Sequence, residues 1–271
     1  MSDATAAEHP PELSLVIPAF NEEQRLPPFL QTVRPYLLGV FGDSHEVIVV
    51  DDGSRDGTAR VVEEAGRTWP QLRLIRHEVN VGKGRAVRAG VLASRGRLVL
   101  FADADGSAPI AEEAALRSAI AAGADVAAGS RLAAGPRPCS RPWHRGLIGR
   151  AFAALVRLFV GLPIRDTQCG FKMFRGPVAR HLFALCSQED YLFDVFVLLL
   201  ARKLGYSTVE VGVAWHDAPG SRLSLVRDSG KMALGLTTLR RKVGRVVAEH
   251  GQAGLAAAPT AASGVPEKSE H

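Results

Sequence analysis

Leu98-Val99-Leu100-Phe101-Ala102 is an unbroken apolar run, and it ends in Asp103-Ala104-Asp105. Consecutive apolar residues need cover on both faces, which the centre of a parallel sheet flanked by helices supplies. In open sheets of that kind ligands gather at the carboxyl ends of the strands. Two carboxylates at such an end repel each other and attract a cation, and their hard oxygens suit Mg²⁺ or Mn²⁺. The run therefore points to a metal and diphosphate site. A loop acid capping the next helix is the plainer alternative for an isolated Asp-x-Asp.

The stretches before it repeat the pattern. Residues 13–17 form a short β-rich run that stops at Pro18-Ala19-Phe20-Asn21-Glu22-Glu23. Asn21 is placed to cap a helix over about 25–38, with Pro27 and Pro28 confined to its start. A second apolar run, 46–50, empties into Asp51-Asp52-Gly53-Ser54-Arg55-Asp56-Gly57-Thr58, where Ser54 or Asp56 can cap a helix over 59–68. Residues 72–76 predict a third strand, and Asn80-Val81-Gly82-Lys83-Gly84 opens a helix reaching about Ser94. Strand and helix alternating four times predict an α/β, doubly wound, mostly parallel sheet with helices on both faces.

Composition narrows the partners. The chain has 271 residues, 46% hydrophobic and 23% charged, with a net charge of +5. That suits a soluble globular protein with an anionic ligand. Aromatic residues are few and not interleaved with basic ones, which argues against nucleic acid. Cys139, Cys169 and Cys186 are odd in number and lack Cys-x-x-Cys spacing, so neither a disulfide framework nor a zinc site is expected. A reducing, cytoplasmic setting is expected, since no signal sequence precedes the first strand and Arg157 and Asp194 interrupt the longest apolar stretches.

Two common nucleotide-binding signatures are missing. The first strand is not followed by G-x-G-x-x-G, and no G-x-x-x-x-G-K-[ST] loop occurs; Gly82 and Gly84 form only a partial glycine turn after a late strand. Acids at strand ends take their place. Val-Ile-Pro-Ala-Phe-Asn-Glu-Glu (16–23), Val-Val-Asp-Asp-Gly-Ser-Arg-Asp-Gly-Thr (49–58), Asn-Val-Gly-Lys-Gly-Arg-Ala-Val (80–87) and Asp-Ala-Asp (103–105) resemble a family 2 glycosyltransferase of the GT-A fold. Ala-Gly-Ser-Arg (128–131), Asp-Thr-Gln-Cys-Gly-Phe-Lys-Met-Phe (166–174), Phe-Asp-Val (193–195) and Gly-Ser-Arg (220–222) resemble its dolichyl-phosphate β-glucosyltransferase branch.

That resemblance implies a site. Asp51 would hold the base, Pro18, Ala19, Asn21 and Glu22 would line the same pocket, and Lys83 would lie near the nucleotide. Asp103 and Asp105 would bind donor and metal. Arg131 would clamp an acceptor phosphate, a job its planar guanidinium suits, or else be a solvated charge after a strand. Gln168, Lys172, Ser221 and Arg222 would line the acceptor or diphosphate side. Asp194, in an otherwise apolar helical run, would act beside the acceptor or else pair with Arg202 or Lys203. The implied reaction is inverting transfer of a hexose, glucose from UDP-glucose in the first instance, onto a polyprenyl or dolichyl phosphate with Mg²⁺ or Mn²⁺. A soluble hydroxyl acceptor for the same donor is the alternative, and a nucleotide-binding scaffold without turnover comes from a different class.

Residues 1–12 are expected to be a disordered lead and 249–271 a disordered tail. Between them, 13–248 reads as a single GT-A domain, with a nucleotide-sugar half (13–107) and an acceptor half (108–248). Within the latter, Arg137, Arg141, Arg145 and Arg150 precede or enter an apolar stretch at 147–162. This basic segment can lie peripherally on anionic lipid, or pack on the sheet with its arginines solvated. Residues 232–247 repeat the theme with Arg240, Arg241, Lys242 and Arg245.

Overall fold

A computed structural model of the chain describes residues 9–133, 139–140, 143–216 and 225–250; for 139–140, 143–150 and 225–234 it gives the backbone path alone. The first half alternates as expected: β1 (Leu13–Ala19), α1 (Leu26–Phe41), β2 (His45–Asp51), α2 (Thr58–Gly66), β3 (Leu72–Arg76), α3 (Lys83–Ala93) and β4 (Leu98–Ala102). A 3-10 turn at Ile110–Glu112 leads into α4 (Glu113–Ala121) and β5 (Val126–Ser130). Then come β6 (Cys139–Ser140), α5 (Trp143–Val160), β7 (Phe171–Arg175), α6 (Gly176–Leu185), α7 (Phe193–Lys203), β8 (Thr208–Gly212), β9 (Trp215–His216) and α8 (Leu225–His250).

Seven strands form one sheet in the order β3-β2-β1-β4-β7-β5-β8. The chain steps outward from β1 to β2 and β3, then returns to the other side of β1 with β4, so a crevice opens where the winding reverses. β7 runs antiparallel to β4 and β5, whereas the other pairs of this sheet are parallel. This reversal matters for the site. Because Phe171 stands opposite Ala102, the segment entering β7 arrives beside the residues leaving β4.

The strands alternate between two cores. Leu15, Ile17, Val49 and Leu100 face α1 and α4, while Val16, Ile48, Val50, Val99 and Phe101 face the layer that holds α3, α6, α7 and α8. Both faces are dry, which is why these strands carry apolar residues at consecutive positions.

One helix start differs from the sequence reading. Asn21 does not cap α1; it sits at φ 53° and accepts the Arg55 N–H through Oδ1 at 2.8 Å. The amides of Glu22 and Glu23 donate to Thr58 and Asp56, so the neighbouring loop satisfies donors that a helix cap would otherwise meet. The helix therefore begins at Leu26, with Pro27 and Pro28 in its first turn. For α2, neither Ser54 nor Asp56 is the capping residue: Gly57 takes that position, and Asp56, one residue earlier, accepts the Thr58 N–H at 3.0 Å.

Candidate active site

A cleft of about 700 Å³ lies over the carboxyl ends of β1 and β4. Pro18 and Ala19 form one wall, and Glu22 and Arg25 follow from the turn before α1. Lys83 enters from the start of α3, Asp103 and Asp105 from the loop after β4, and Lys242 from α8. Residues 187–191 close the remaining side.

Two cations of this cleft, Lys83 and Arg25, stand against its acids. Lys83 Nζ lies 2.5 Å from Asp103 Oδ1. Burial pulls the Lys83 pKa down, but the carboxylates of Asp103 and Asp194 more than reverse this, and the net movement is upward. Asp105 accepts the Ser107 N–H at 3.0 Å, and Arg25 stands 3.8 Å away. Burial, then the nearby charge of Asp103, push the Asp105 pKa up. A carboxylate whose ionised form is penalised in this way gains from an added cation.

The approach to Asp103 requires a missing side chain. Its N–H donates to the Gly170 carbonyl at 3.0 Å, and a Cβ built on Gly170 would overlap its carboxylate. The glycine before β7 is thus what allows strand and acid to meet. Gly82, at φ 111°, similarly brings α3 against the Glu189 carbonyl, which accepts the Gly84 N–H at 2.9 Å. Asp52 secures that turn from the other side by accepting the amides of Val81 and Gly82.

Several residues expected in the site lie behind it. Asp51 is fully buried at the end of β2; Oδ1 accepts the Ser54 N–H, while Oδ2 has no hydrogen-bond partner among the described residues and lies 3.5 Å from Arg76 Nε. Lys172, on β7, donates to Asp194 Oδ1 at 2.6 Å and to the Cys169 carbonyl at 2.5 Å. It is 1% exposed and its partner 4%, and neither lines the cleft. Asp194 thus does not face the cleft as expected, and the alternative partners Arg202 and Lys203 are replaced by Lys172 in a strand-to-helix pair. Gln168 does not line the cleft either, and its Nε2, like Thr167 Oγ1, is buried without a partner among the described residues.

Arg131 also departs from expectation. Its Nε and one terminal nitrogen donate to the two oxygens of Asp166 at 2.7 and 2.8 Å, and its backbone N–H donates to the same carboxylate at 2.9 Å. The guanidinium lies 4.9 Å from the centre of the Trp215 ring. Burial opposes the Arg131 charge, but Asp166 more than compensates and raises its pKa. A fork already filled by a carboxylate is not a free phosphate clamp. Ser221 and Arg222 lie outside the described residues.

Comparison with known proteins decides the family. Residues 14–183 match the model described as glycosyl transferase family 2. The chain belongs to that family. This glycosyltransferase is 39% identical over 226 residues to a dolichyl-phosphate β-glucosyltransferase of Drosophila melanogaster, covering 79% of this chain and 69% of the relative. It is 35% identical to the Saccharomyces cerevisiae protein of the same name, covering 84% and 74%. The fold matches that of glucosyl-3-phosphoglycerate synthase from Mycobacterium tuberculosis, crystallised with Mn²⁺, uridine diphosphate and phosphoglyceric acid. The TM-score is 0.60 at 21% identity, over 86% of this chain and 79% of that one, and it establishes the GT-A fold.

Within this glycosyltransferase, sequence reasoning missed Arg25, Lys242 and the 187–191 segment. Arg25 carried a signal, since it stands one helical turn after Glu22 and pairs with it at 2.7 Å. Lys242 carried none, because nothing in the order of residues says that α8 reaches back to the cleft.

Proposed function

We propose that this glycosyltransferase moves glucose from UDP-glucose onto dolichyl or another polyprenyl phosphate, with inversion at the anomeric carbon. The observation that carries the proposal is the acidic pair, Asp103 and Asp105, set among cations in a cleft at the point where the sheet reverses its winding. The names of the relatives supply the sugar and the lipid phosphate.

The donor set fits a divalent ion. Among the described residues no cluster of three or more acids, histidines or cysteines forms a full cage. Two carboxylates are what Mg²⁺ or Mn²⁺ needs when substrate phosphates and water complete the shell. Asp103 and Asp105 would hold the ion, whose chemistry is to neutralise charge on the departing diphosphate. Pro18, Ala19 and Glu22 shape the donor side.

A phosphate acceptor suits this cleft better than a hydroxyl. Its oxygen forms a bond to the anomeric carbon as the bond from that carbon to the diphosphate breaks, and near neutral pH it is largely ionised already, its second pKa being about 6. A hydroxyl must lose a proton to a base, worth on the order of 10²–10⁴-fold. Asp194, the acid expected to serve, is bonded to Lys172 behind the cleft. Arg131 instead braces Asp166, at the head of the segment that delivers Gly170 to Asp103.

Lipid docking belongs to the same proposal. Leu158 and Phe159 are exposed on α5 next to exposed Arg157. Among the described residues no helix is long and apolar enough to cross a membrane. An apolar and basic face of this kind suits the surface of an anionic bilayer.

Asp105→Asn tests the site. The variant should fold normally, since the position is at the cleft surface, and should lose transfer by orders of magnitude together with Mn²⁺-dependent affinity for UDP. Near-normal turnover in a folded Asp105→Asn protein would contradict the assignment.

A further inference from the structure

Three cations line the cleft among the described residues: Arg25, Lys83 and Lys242. Arg25 donates to Glu22 and faces Asp105, and Lys83 pairs with Asp103. Each of these charges is offset by a carboxylate of the cleft itself. Lys242 is different. Its Nζ donates to the neutral Gln188 Oε1 at 3.2 Å and pairs with no carboxylate among the described residues.

The position of Lys242 is built, not incidental. Leu236, Leu239 and Val243 are buried and seat α8 on the body of the protein. A Cβ on Gly235 would overlap the Leu192 side chain, so the helix backbone lies directly on the start of α7. Lys242 follows Gly235 by two helical turns and so shares its face, which sets the side chain over the 187–191 segment. An ammonium carries three donors and no acceptor, and a neutral amide is a partner it exchanges readily for an anion.

We propose that Lys242 is a phosphate-binding residue of this cleft, delivered by α8, and that its ligand is a phosphoryl oxygen of a substrate. Two substrates bring such oxygens here, the donor as a diphosphate and the acceptor as a phosphate. The inference rests on the nucleotide-sugar reading of the cleft. It also supplies a cation for the acceptor side, where Arg131 is committed to Asp166.

The experiment compares wild type, Lys242→Met and Lys242→Arg, with thermal melts to confirm folding. UDP and uridine are titrated calorimetrically in Mn²⁺, and KM for a short polyprenyl phosphate is measured in detergent. If the ligand is the diphosphate, Lys242→Met weakens UDP about tenfold or more, the cost of losing a charge-assisted hydrogen bond, and leaves uridine unchanged. If it is the acceptor, UDP binding is retained and KM for the lipid phosphate rises by a similar factor. In either case Lys242→Arg recovers part of the loss. A folded Lys242→Met protein within twofold of wild type in both measurements overturns the proposal. Failure of the underlying reading looks different, because wild type itself would then bind UDP no more tightly than uridine.

Discussion

Lys172 and Asp194 form a buried pair that is costly to break. Both are almost fully buried, and burial raises the Asp194 pKa against the opposing pull of Lys172 and Lys83. Removing the ammonium alone would leave a carboxylate without its main partner in an apolar layer that includes Phe101, whose ring centre is 5.2 Å from Nζ. Lys172→Met should therefore destabilise by about 3–5 kcal/mol in denaturant unfolding, and Lys172→Met with Asp194→Leu should recover most of it. An additive double mutant would show that the two do not act as a pair. His45 is a second buried polar residue with a measurable consequence. Its Nδ1 is 2.7 Å from the Gly42 carbonyl, and its Nε2 accepts from Trp69 at 3.3 Å, an arrangement that needs the neutral ring. Burial lowers its pKa, against the pull of the Gly42 carbonyl and Asp43. Below about pH 6.5 the unfolded chain takes up a proton that the folded one refuses, so stability falls with falling pH until the folded pKa is reached. The difference in stability between wild type and His45→Gln should narrow as the pH drops from about 7.5 to 5.5. A constant difference would contradict the neutral tautomer.

At the scale of elements, the site depends on β7 running against its neighbours. Its reversal carries 166–170 to the end of β4, and Gly170 lets the Asp103 carboxylate take its place. Gly170→Ala should keep its secondary structure by circular dichroism but weaken Mn²⁺-dependent UDP binding by about tenfold or more, because the new methyl displaces the acid. Unchanged binding would mean that the loop relaxes freely. This element also shows where sequence stops. The apolar runs of β1, β2 and β4 announced strands covered on both faces, and the acids at their ends announced the cleft. The direction of β7 was not legible, since a doubly buried strand has the same residue pattern either way. Nor was the fate of Arg131 or Asp194, because their partners, Asp166 and Lys172, are distant in sequence and meet them only through tertiary packing. Asn21 misled for a related reason: its loop is bonded to residues 54–58 instead of to its own helix.

For the whole molecule, a net charge of +5 and the exposed Leu158 and Phe159 of α5 bear on how a protein of this shape would reach a lipid substrate. Binding to anionic vesicles should weaken as salt screens the basic residues, and charge reversal at Arg137, Arg141 and Arg145 should weaken it further. Equal partitioning onto neutral and anionic vesicles would contradict that docking mode. The acceptor is decided by UDP- or GDP-sugar turnover with Mn²⁺, with and without a short polyprenyl phosphate, the lipid product being identified by mass spectrometry. A glucosyl-phosphoryl lipid is expected from UDP-glucose, with UDP released only when the lipid phosphate is present. Release that ignores the lipid phosphate and follows a neutral sugar alcohol would contradict this expectation.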